Sequence, residues 1–207
     1  MALNKDSSKI LKELISKDKK LINVIDFDKK CPLFGNPIIS ENNLFLEISQ
    51  TIVGQQISFL AADAVWKRLL NSVNKKKDFL NLFENKNLKW ARQQGLSERK
   101  YEYIRDLSLK IKKRDISLVK MSKLDDESVI NELTKIRGIG PWTAEMFLMF
   151  GLKRKDVFSI GDLALLRAVS EIYKVDCKDH KKIIRITNKW KPYRSIVSWY
   201  LWEYLGV

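Results

Sequence analysis

Residues 133–162 have the sequence LTKIRGIGPWTAEMFLMFGLKRKDVFSIGD. Gly138 and Gly140 suit a tight turn, because glycine tolerates positive φ and the close approach of other groups. Pro141 is well placed to begin a helix, since proline is tolerated at the first helical position. The stretch therefore predicts a helix, a short hairpin turn and a second helix, followed by a third helix headed by Asp162.

The hairpin also predicts an anion site. The amides of Ile139, Gly140 and Trp142 lie at or just before the predicted N-terminus of the second helix. Unpaired amides and the positive end of the helix dipole attract an anion at such a place. A phosphate is the expected ligand, although a bare G-x-G also fits a simple turn between two core helices.

The composition favours a polyanionic partner. Lysine and arginine number 39 against 25 aspartates and glutamates, so the formal charge is 39 − 25 = +14, with a pI of about 9.7. No apolar run approaches the ~20 residues needed to cross a bilayer, so we expect no membrane association and a cytoplasmic or nucleoid location. The two cysteines, Cys31 and Cys177, are far apart, and neither a zinc site nor an iron–sulfur cluster is expected.

Helical periodicity runs through the chain, and no strand-like alternation or internal repeat is present, so the predicted fold class is all-α. Residues 44–73 form a strongly apolar helical stretch that is interrupted by V-G-Q-Q-I-S at residues 53–58, where Ser58 can cap a following helix. Residues 75–77 begin a polar stretch, and the lone His180, among lysines, is predicted to lie on the surface. The helix after Ser58 carries Leu60, Ala61, Ala64, Val65 and Leu69.

The pattern L-x-x-I-x-G-I-G-x-W-T-A in residues 133–144, followed by D-V-F-x-x-x-D in residues 156–162, resembles the helix-hairpin-helix DNA glycosylases. Among these it is most similar to the 3-methyladenine DNA glycosylase II type. G-Q-Q-I-S at 54–58, G-L-S-x-x-K at 95–100 and W-K-P-Y-R-S at 190–195 extend the match.

The resemblance implies a two-lobed all-α fold. Residues 44–157 would form a six-helix lobe that carries the helix-hairpin-helix. Residues 1–43 and 158–207 would form a second helical lobe, with the active site in the cleft between the two.

The resemblance also implies a monofunctional DNA glycosylase that flips alkylated purines out of the duplex and excises them in base excision repair. Asp162, 162 − 140 = 22 residues beyond the second hairpin glycine, would be the catalytic residue. It would stabilise an oxocarbenium-like sugar and orient or deprotonate water. An ordinary N-cap is the alternative for Asp162, and the two roles are compatible because a helix N-terminus favours an ionised carboxylate.

Trp142, Trp202 and Met146 are implied to form the base pocket, where an aromatic face would add a cation–π attraction to a cationic base. Core packing is the alternative for both tryptophans. Trp142 replaces the lysine of bifunctional relatives, so no strand cleavage through a Schiff base is expected. Met146 and Glu203 stand where the best-known relative has tyrosines, which leaves the base range unpredicted.

Contacts with DNA are carried over in the same way. Gln55 and Gln56 would supply the wedge that fills the space of the extruded nucleotide, with a solvated helix junction as the alternative. The sugar-phosphate backbone would be held at the hairpin, assisted by Thr143. The hairpin set comprises Gly138, Ile139, Gly140, Trp142 and Thr143.

No cofactor is expected to be required. The resemblance implies a structural monovalent cation at the hairpin, held by the backbone carbonyls of Thr134, Ile136 and Ile139. The expected partner is double-stranded DNA with a damaged base, bound by a monomer. The alternatives are a glycosylase for uracil, hypoxanthine or an oxidised purine, and a non-catalytic helix-hairpin-helix protein that binds DNA.

Overall fold

The computed structural model describes residues 5–73 and 78–206, so the predicted polar residues 75–77 lie outside the described part. Within it the chain forms helices and no strand, which confirms the all-α prediction. The α-helices are α1 Lys5–Lys17, α2 Glu41–Gly54, α3 Phe59–Asn71, α4 Phe79–Asn85, α5 Leu88–Gln93, α6 Glu98–Lys112, α7 Leu118–Met121, α8 Asp126–Thr134, α9 Pro141–Met146, α10 Leu163–Tyr173, α11 His180–Thr187 and α12 Arg194–Leu205.

None of the described helices combines the length and apolarity that a membrane span requires. The helices divide between two compact units. One consists of Pro37–Leu152, and the other combines Met1–Asn36 with Lys153–Val207.

The unit Pro37–Leu152 is built around α2, which packs against α3, α4, α6, α7 and α9. Phe45 on α2 and Phe79 and Phe83 on α4 are fully buried, and their ring centroids lie 5.5–6.2 Å apart. Such tilted and edge-on aromatic pairs are favourable beyond the area they bury. Helix α9 of the hairpin packs directly on α2, and α8 packs on α9.

Helix α3 buries a narrower face than its sequence indicates. Val65, Trp66 and Leu69 are buried, whereas Leu60 is 78% exposed and Phe59 is 65% exposed. Residues three or four positions apart share a helix face, as Val65, Trp66 and Leu69 do. Phe59 and Leu60, in the first turn of α3, point away from this buried face.

The second helix of the hairpin is largely buried, but it is not a regular α-helix to its end. Phe147–Gly151 form a π-helical turn, in which the Leu152 amide donates to the Phe147 carbonyl oxygen at 3.0 Å. A Cβ on Gly151 would lie 2.8 Å from the Phe147 ring. The wider turn thus brings Gly151 against that ring, and only glycine fits there.

In the unit formed by Met1–Asn36 and Lys153–Val207, α10 packs against α12. Asp18 is buried and accepts hydrogen bonds from the Tyr173 hydroxyl at 2.7 Å and the Trp190 indole at 3.3 Å. Burial raises the pKa of the Cys31 thiol to about 12, while Cys177 is exposed. His180 begins α11 on the surface, as predicted.

Candidate functional site

The predicted hairpin is present between α8 and α9. Its turn is held by backbone bonds from the Ile136 amide to the Leu133 carbonyl and from the Ile139 amide to the Ile136 carbonyl, at 3.0 and 3.1 Å. Ile136 and Ile139 are buried, and α9 begins at Pro141 with Gly140 as its N-cap. The side chains of Ile136 and Ile139 therefore anchor the turn in the interior.

Gly138 is required by both conformation and packing. Its φ is +87°, and a Cβ there would lie 2.2 Å from Cγ and Cδ2 of Tyr103 on α6. The Arg137 guanidinium lies over the same ring, 5.5 Å from its centroid. The Tyr103 side chain thus packs directly against the hairpin turn.

Gly140 has a different environment. Its φ of −95° is open to any residue, and a Cβ there would have no atom within 4 Å among the described residues. Neither strain nor internal packing explains a glycine at this position. Glycine is favoured over alanine at an N-cap, and its lack of a side chain also leaves the backbone open to the close approach of a ligand.

The other hairpin residues divide into outward and inward groups. The Ile139 amide, a predicted phosphate donor, donates instead to the Ile136 carbonyl within the turn, and the phosphate site at the start of α9 stays a prediction. The Thr143 side chain is 2% exposed, and its hydroxyl accepts a hydrogen bond from Gln55 at 2.9 Å. Thr143 therefore stabilises the hairpin from inside instead of presenting its hydroxyl to a ligand.

The loop that follows α2 is bonded directly to the hairpin. The Gln55 side-chain amide donates to the Gly138 carbonyl at 3.0 Å and to the Thr143 hydroxyl at 2.9 Å. Gln56 is exposed and takes a left-handed φ of 56°. The structure thus separates the two predicted wedge residues: Gln55 joins the loop to the hairpin, and Gln56 is the one whose side chain faces outward.

Lys100 is a residue that the sequence analysis did not assign. Its ammonium donates to the Val53 carbonyl at 2.8 Å and to the Gln55 carbonyl at 2.7 Å, across the C-terminus of α2. A cation is favourable there because helix C-terminal carbonyls are unpaired and carry the negative end of the dipole. Burial lowers the pKa of Lys100. The G-L-S-x-x-K motif, which ends at this lysine, was the only signal in the sequence.

Replacing Lys100 by methionine is expected to lower the free energy of unfolding by about 1–2 kcal/mol, because two carbonyls lose a charged donor. Urea denaturation measures this change. Lys110→Met is the matched control on α6, since Lys110 pairs with Asp106 at the surface and such pairs contribute little. Equal destabilisation by the two substitutions would contradict a specific role for Lys100.

Asp162 heads α10 as its N-cap, and its side chain is 7% exposed. Oδ1 accepts the Leu165 amide at 2.9 Å and the Trp202 indole N–H at 3.4 Å. Trp202 lies on α12, the helix that packs against α10. One oxygen of the carboxylate is thus held by a helix N-terminus and an indole, which fixes the orientation of the group.

The segment that leads to Asp162 is secured to the start of α12. Arg194 donates through Nε to Asp156 Oδ1 at 2.7 Å and through Nη2 to the Asp156 carbonyl at 2.7 Å. The Ser195 hydroxyl accepts the Val157 amide at 2.8 Å. Sequence reasoning did not assign these residues, although Arg194 and Ser195 belong to the matched W-K-P-Y-R-S segment.

The predicted pocket residues have distinct surroundings. Trp142 and Met146 lie one turn apart on α9, the tryptophan half-buried and the methionine 4% exposed. Glu203, which follows Trp202 on α12, pairs with Lys29 at 2.5 Å, and this partner raises the pKa of Lys29. The assignment of Trp142, Met146 and Trp202 to one base pocket stays a prediction.

The predicted cation site also stays a prediction. The Ile136 carbonyl already accepts the Ile139 amide at 3.1 Å, but a carbonyl oxygen has a second lone pair for a metal. Among the residues that the structure describes, no cluster of histidine, cysteine, aspartate or glutamate could hold a metal ion. Backbone oxygens would therefore be the ligands.

Comparison with known proteins places these features in one family. The family described as "HhH-GPD superfamily base excision DNA repair protein" matches residues 49–192. The DNA-3-methyladenine glycosylase of Saccharomyces cerevisiae is 34% identical over 195 residues, which cover 77% of this chain and 66% of the yeast protein.

Two solved structures extend the likeness to the fold. DNA-3-methyladenine glycosidase from Bacillus halodurans is 30% identical with a TM-score of 0.69, covering 96% of this chain and 89% of that one. The 3-methyladenine DNA glycosylase Mag1 of Schizosaccharomyces pombe, in complex with abasic DNA, has a TM-score of 0.76 and 24% identity, covering 96% and 97% of the two chains. The second likeness, at its lower identity, shows the fold alone.

Proposed function

The chain belongs to the HhH-GPD superfamily of base excision DNA repair proteins, and from this we propose that it is a monofunctional glycosylase for alkylated purines in duplex DNA. It hydrolyses the N-glycosidic bond of a base methylated at N3 or N7 and leaves an abasic site. The names of the yeast and Bacillus halodurans relatives support this substrate class.

The observation that carries the proposal is the environment of Asp162. Asp162 is 7% exposed, and its carboxylate is held through Oδ1 by the Leu165 amide and the Trp202 indole. A module that only binds DNA has no use for an aspartate oriented in this way by an aromatic side chain. A glycosylase needs a fixed anion, because positive charge develops on the sugar as the bond breaks.

The chemistry follows from the charge on the substrate. A purine methylated at N3 or N7 is already cationic, so it leaves as a neutral base and needs no general acid. Asp162 stabilises the oxocarbenium-like sugar and orients or deprotonates the water that attacks C1′. The amides at the start of α9 bind the sugar-phosphate backbone, and this contact carries no sequence information.

Mass spectrometry of released bases tests the substrate class. Duplex DNA is methylated, deaminated or oxidised in separate samples and incubated with the protein. We expect release of 3-methyladenine and 7-methylguanine from the methylated sample. Release of uracil, hypoxanthine or an oxidised purine alone would replace the substrate, and release of nothing despite duplex binding would favour the non-catalytic alternative.

The absence of strand cleavage is a separate prediction. No amine is present at position 142, where bifunctional relatives carry a lysine, so no Schiff base should form with the abasic product. Borohydride treatment during turnover is expected to trap no protein–DNA adduct. A covalent adduct detected by denaturing gel electrophoresis would show that another amine of the chain attacks the sugar.

A further inference from the structure

Exposed apolar side chains are concentrated directly after the Gln55–Gln56 turn. Of the eleven large hydrophobic residues that are exposed in the described part of the chain, three fall within residues 57–60. Ile57, Phe59 and Leu60 are 42%, 65% and 78% exposed, and we call these three residues the apolar loop. Three large exposed apolar side chains within four residues are more typical of a binding surface than of a solvated helix end.

The apolar loop is held in a defined conformation. The Ser58 hydroxyl accepts the Ala61 amide at 3.3 Å and caps α3, whose opposite face is buried through Val65, Trp66 and Leu69. Because the cap and the buried face set the direction of α3, Phe59 and Leu60 are kept outward without a partner segment. The surface is therefore ordered before any ligand binds.

The apolar loop is also continuous with the proposed phosphate site. Gln55, two residues before Ile57, donates to the Gly138 carbonyl and the Thr143 hydroxyl of the hairpin. The Lys100 ammonium donates to the carbonyls of Val53 and Gln55 and so fixes the backbone of the same turn. The turn that leads into the apolar loop is therefore bonded to the hairpin, within the same unit as Gly140.

From this continuity we propose that Ile57, Phe59 and Leu60 form a docking surface for the strand opposite the lesion, and that Phe59 stacks on its orphaned base. The inference rests on the proposed function. When a damaged nucleotide leaves the duplex, the base opposite loses its pairing partner. Where the opened duplex is kinked, this base is also partly unstacked from a neighbour in its own strand. Its π-face is apolar, and aromatic side chains take such faces whatever the sequence.

The size of the apolar loop favours a base over a protein partner. A stable protein interface needs about 800 Å² on each side, and three side chains supply less than this. One or two bases have a matching size. The charged phosphates of an intact duplex make no favourable contact with these apolar side chains. The apolar loop therefore binds DNA only after the duplex has opened.

The test uses a duplex in which 2-aminopurine stands opposite a tetrahydrofuran abasic analogue, so that the readout requires no base excision. Wild-type protein is expected to change the 2-aminopurine fluorescence by at least ~2-fold on binding, through stacking on Phe59. In F59S/L60S this change is lost and affinity for the duplex falls ~10-fold. Ile22→Ser is the matched control, since Ile22 is 63% exposed in the other unit.

Excision supplies the second readout. F59S/L60S is expected to lose ~10-fold in kcat/KM on methylated duplex DNA and less than ~2-fold on methylated single strands, which have no opposite base. An unchanged fluorescence response in F59S/L60S, or equal losses of kcat/KM on duplex and single-stranded DNA, would overturn the proposal. Dimers of the wild-type protein that F59S/L60S abolishes would also overturn it, because the apolar loop would then bind a second copy of the chain. If wild-type protein changes the 2-aminopurine fluorescence but releases no methylated base, the proposed role of the apolar loop is kept and the proposed substrate class is rejected.

Discussion

Asp162→Asn is expected to reduce the release of 3-methyladenine by at least ~100-fold while duplex binding and the free energy of unfolding stay nearly unchanged. The reason lies in the hydrogen bonds of Oδ1. Asparagine caps helices as well as aspartate does, so its side-chain oxygen still accepts the Leu165 amide and the Trp202 indole. Only the negative charge is removed, and with it the stabilisation of the developing positive charge on the sugar.

Single-turnover release from methylated duplex measures the chemical step, and fluorescence anisotropy measures binding. Asp179→Asn is the matched control, because Asp179 caps α11 by accepting the Lys182 amide at 3.0 Å and is exposed. Asp162→Ala, by contrast, should also lower the free energy of unfolding by about 1 kcal/mol through loss of the cap. Near wild-type release by Asp162→Asn would show that Asp162 is a structural cap and nothing more.

Gly138→Ala is expected to lower the free energy of unfolding by about 3 kcal/mol, from backbone strain at positive φ and from overpacking. The added methyl group would lie 2.2 Å from Cγ of Tyr103 and 2.8 Å from its Cβ. These atoms are at the base of the side chain, so a change of rotamer does not relieve the overlap. The hairpin must move away from α6, and thermal or urea denaturation measures the result.

Gly140→Ala separates stability from binding at the same turn. Its methyl group meets no described atom within 4 Å, so the free energy of unfolding should fall by no more than about 1 kcal/mol, the cost of placing alanine at this N-cap. If the backbone of a DNA strand approaches here, affinity for duplex DNA falls by ~10-fold. Similar destabilisation by Gly138→Ala and Gly140→Ala would contradict the different environments of the two glycines. An unchanged affinity of Gly140→Ala for duplex DNA would mean that the phosphate binds elsewhere.

The local elements could be predicted from the sequence because their causes are local. Pro141 starts α9, while Ser58 and Asp162 cap α3 and α10 by accepting amides three residues ahead. Each of these features satisfies backbone groups within one helical turn, and residue type alone indicates it. The family match confirms the assignment made from the hairpin pattern, and the helices of the described residues confirm the all-α class.

Other expectations from the sequence were corrected by the tertiary packing. Leu60 belongs to an apolar helix by pattern, yet it is 78% exposed because α3 turns a different face to the core. The Ile139 amide and the Thr143 hydroxyl lie in the predicted phosphate-binding turn, yet both are used inside the protein. Periodicity does not reveal which face of a helix finds a partner, and a motif does not reveal which of its donors are already bonded.

By itself the sequence determined where helices begin and turn, and which aspartate stands at the head of α10, because those choices depend on hydrogen bonds between residues a few positions apart. Only the tertiary structure decided that Gln55 meets Thr143, that Lys100 meets Val53 and that Trp202 meets Asp162. These pairs are separated by 88, 47 and 40 residues. Packing of the helices brings them together, and no short-range rule of residue type encodes that proximity.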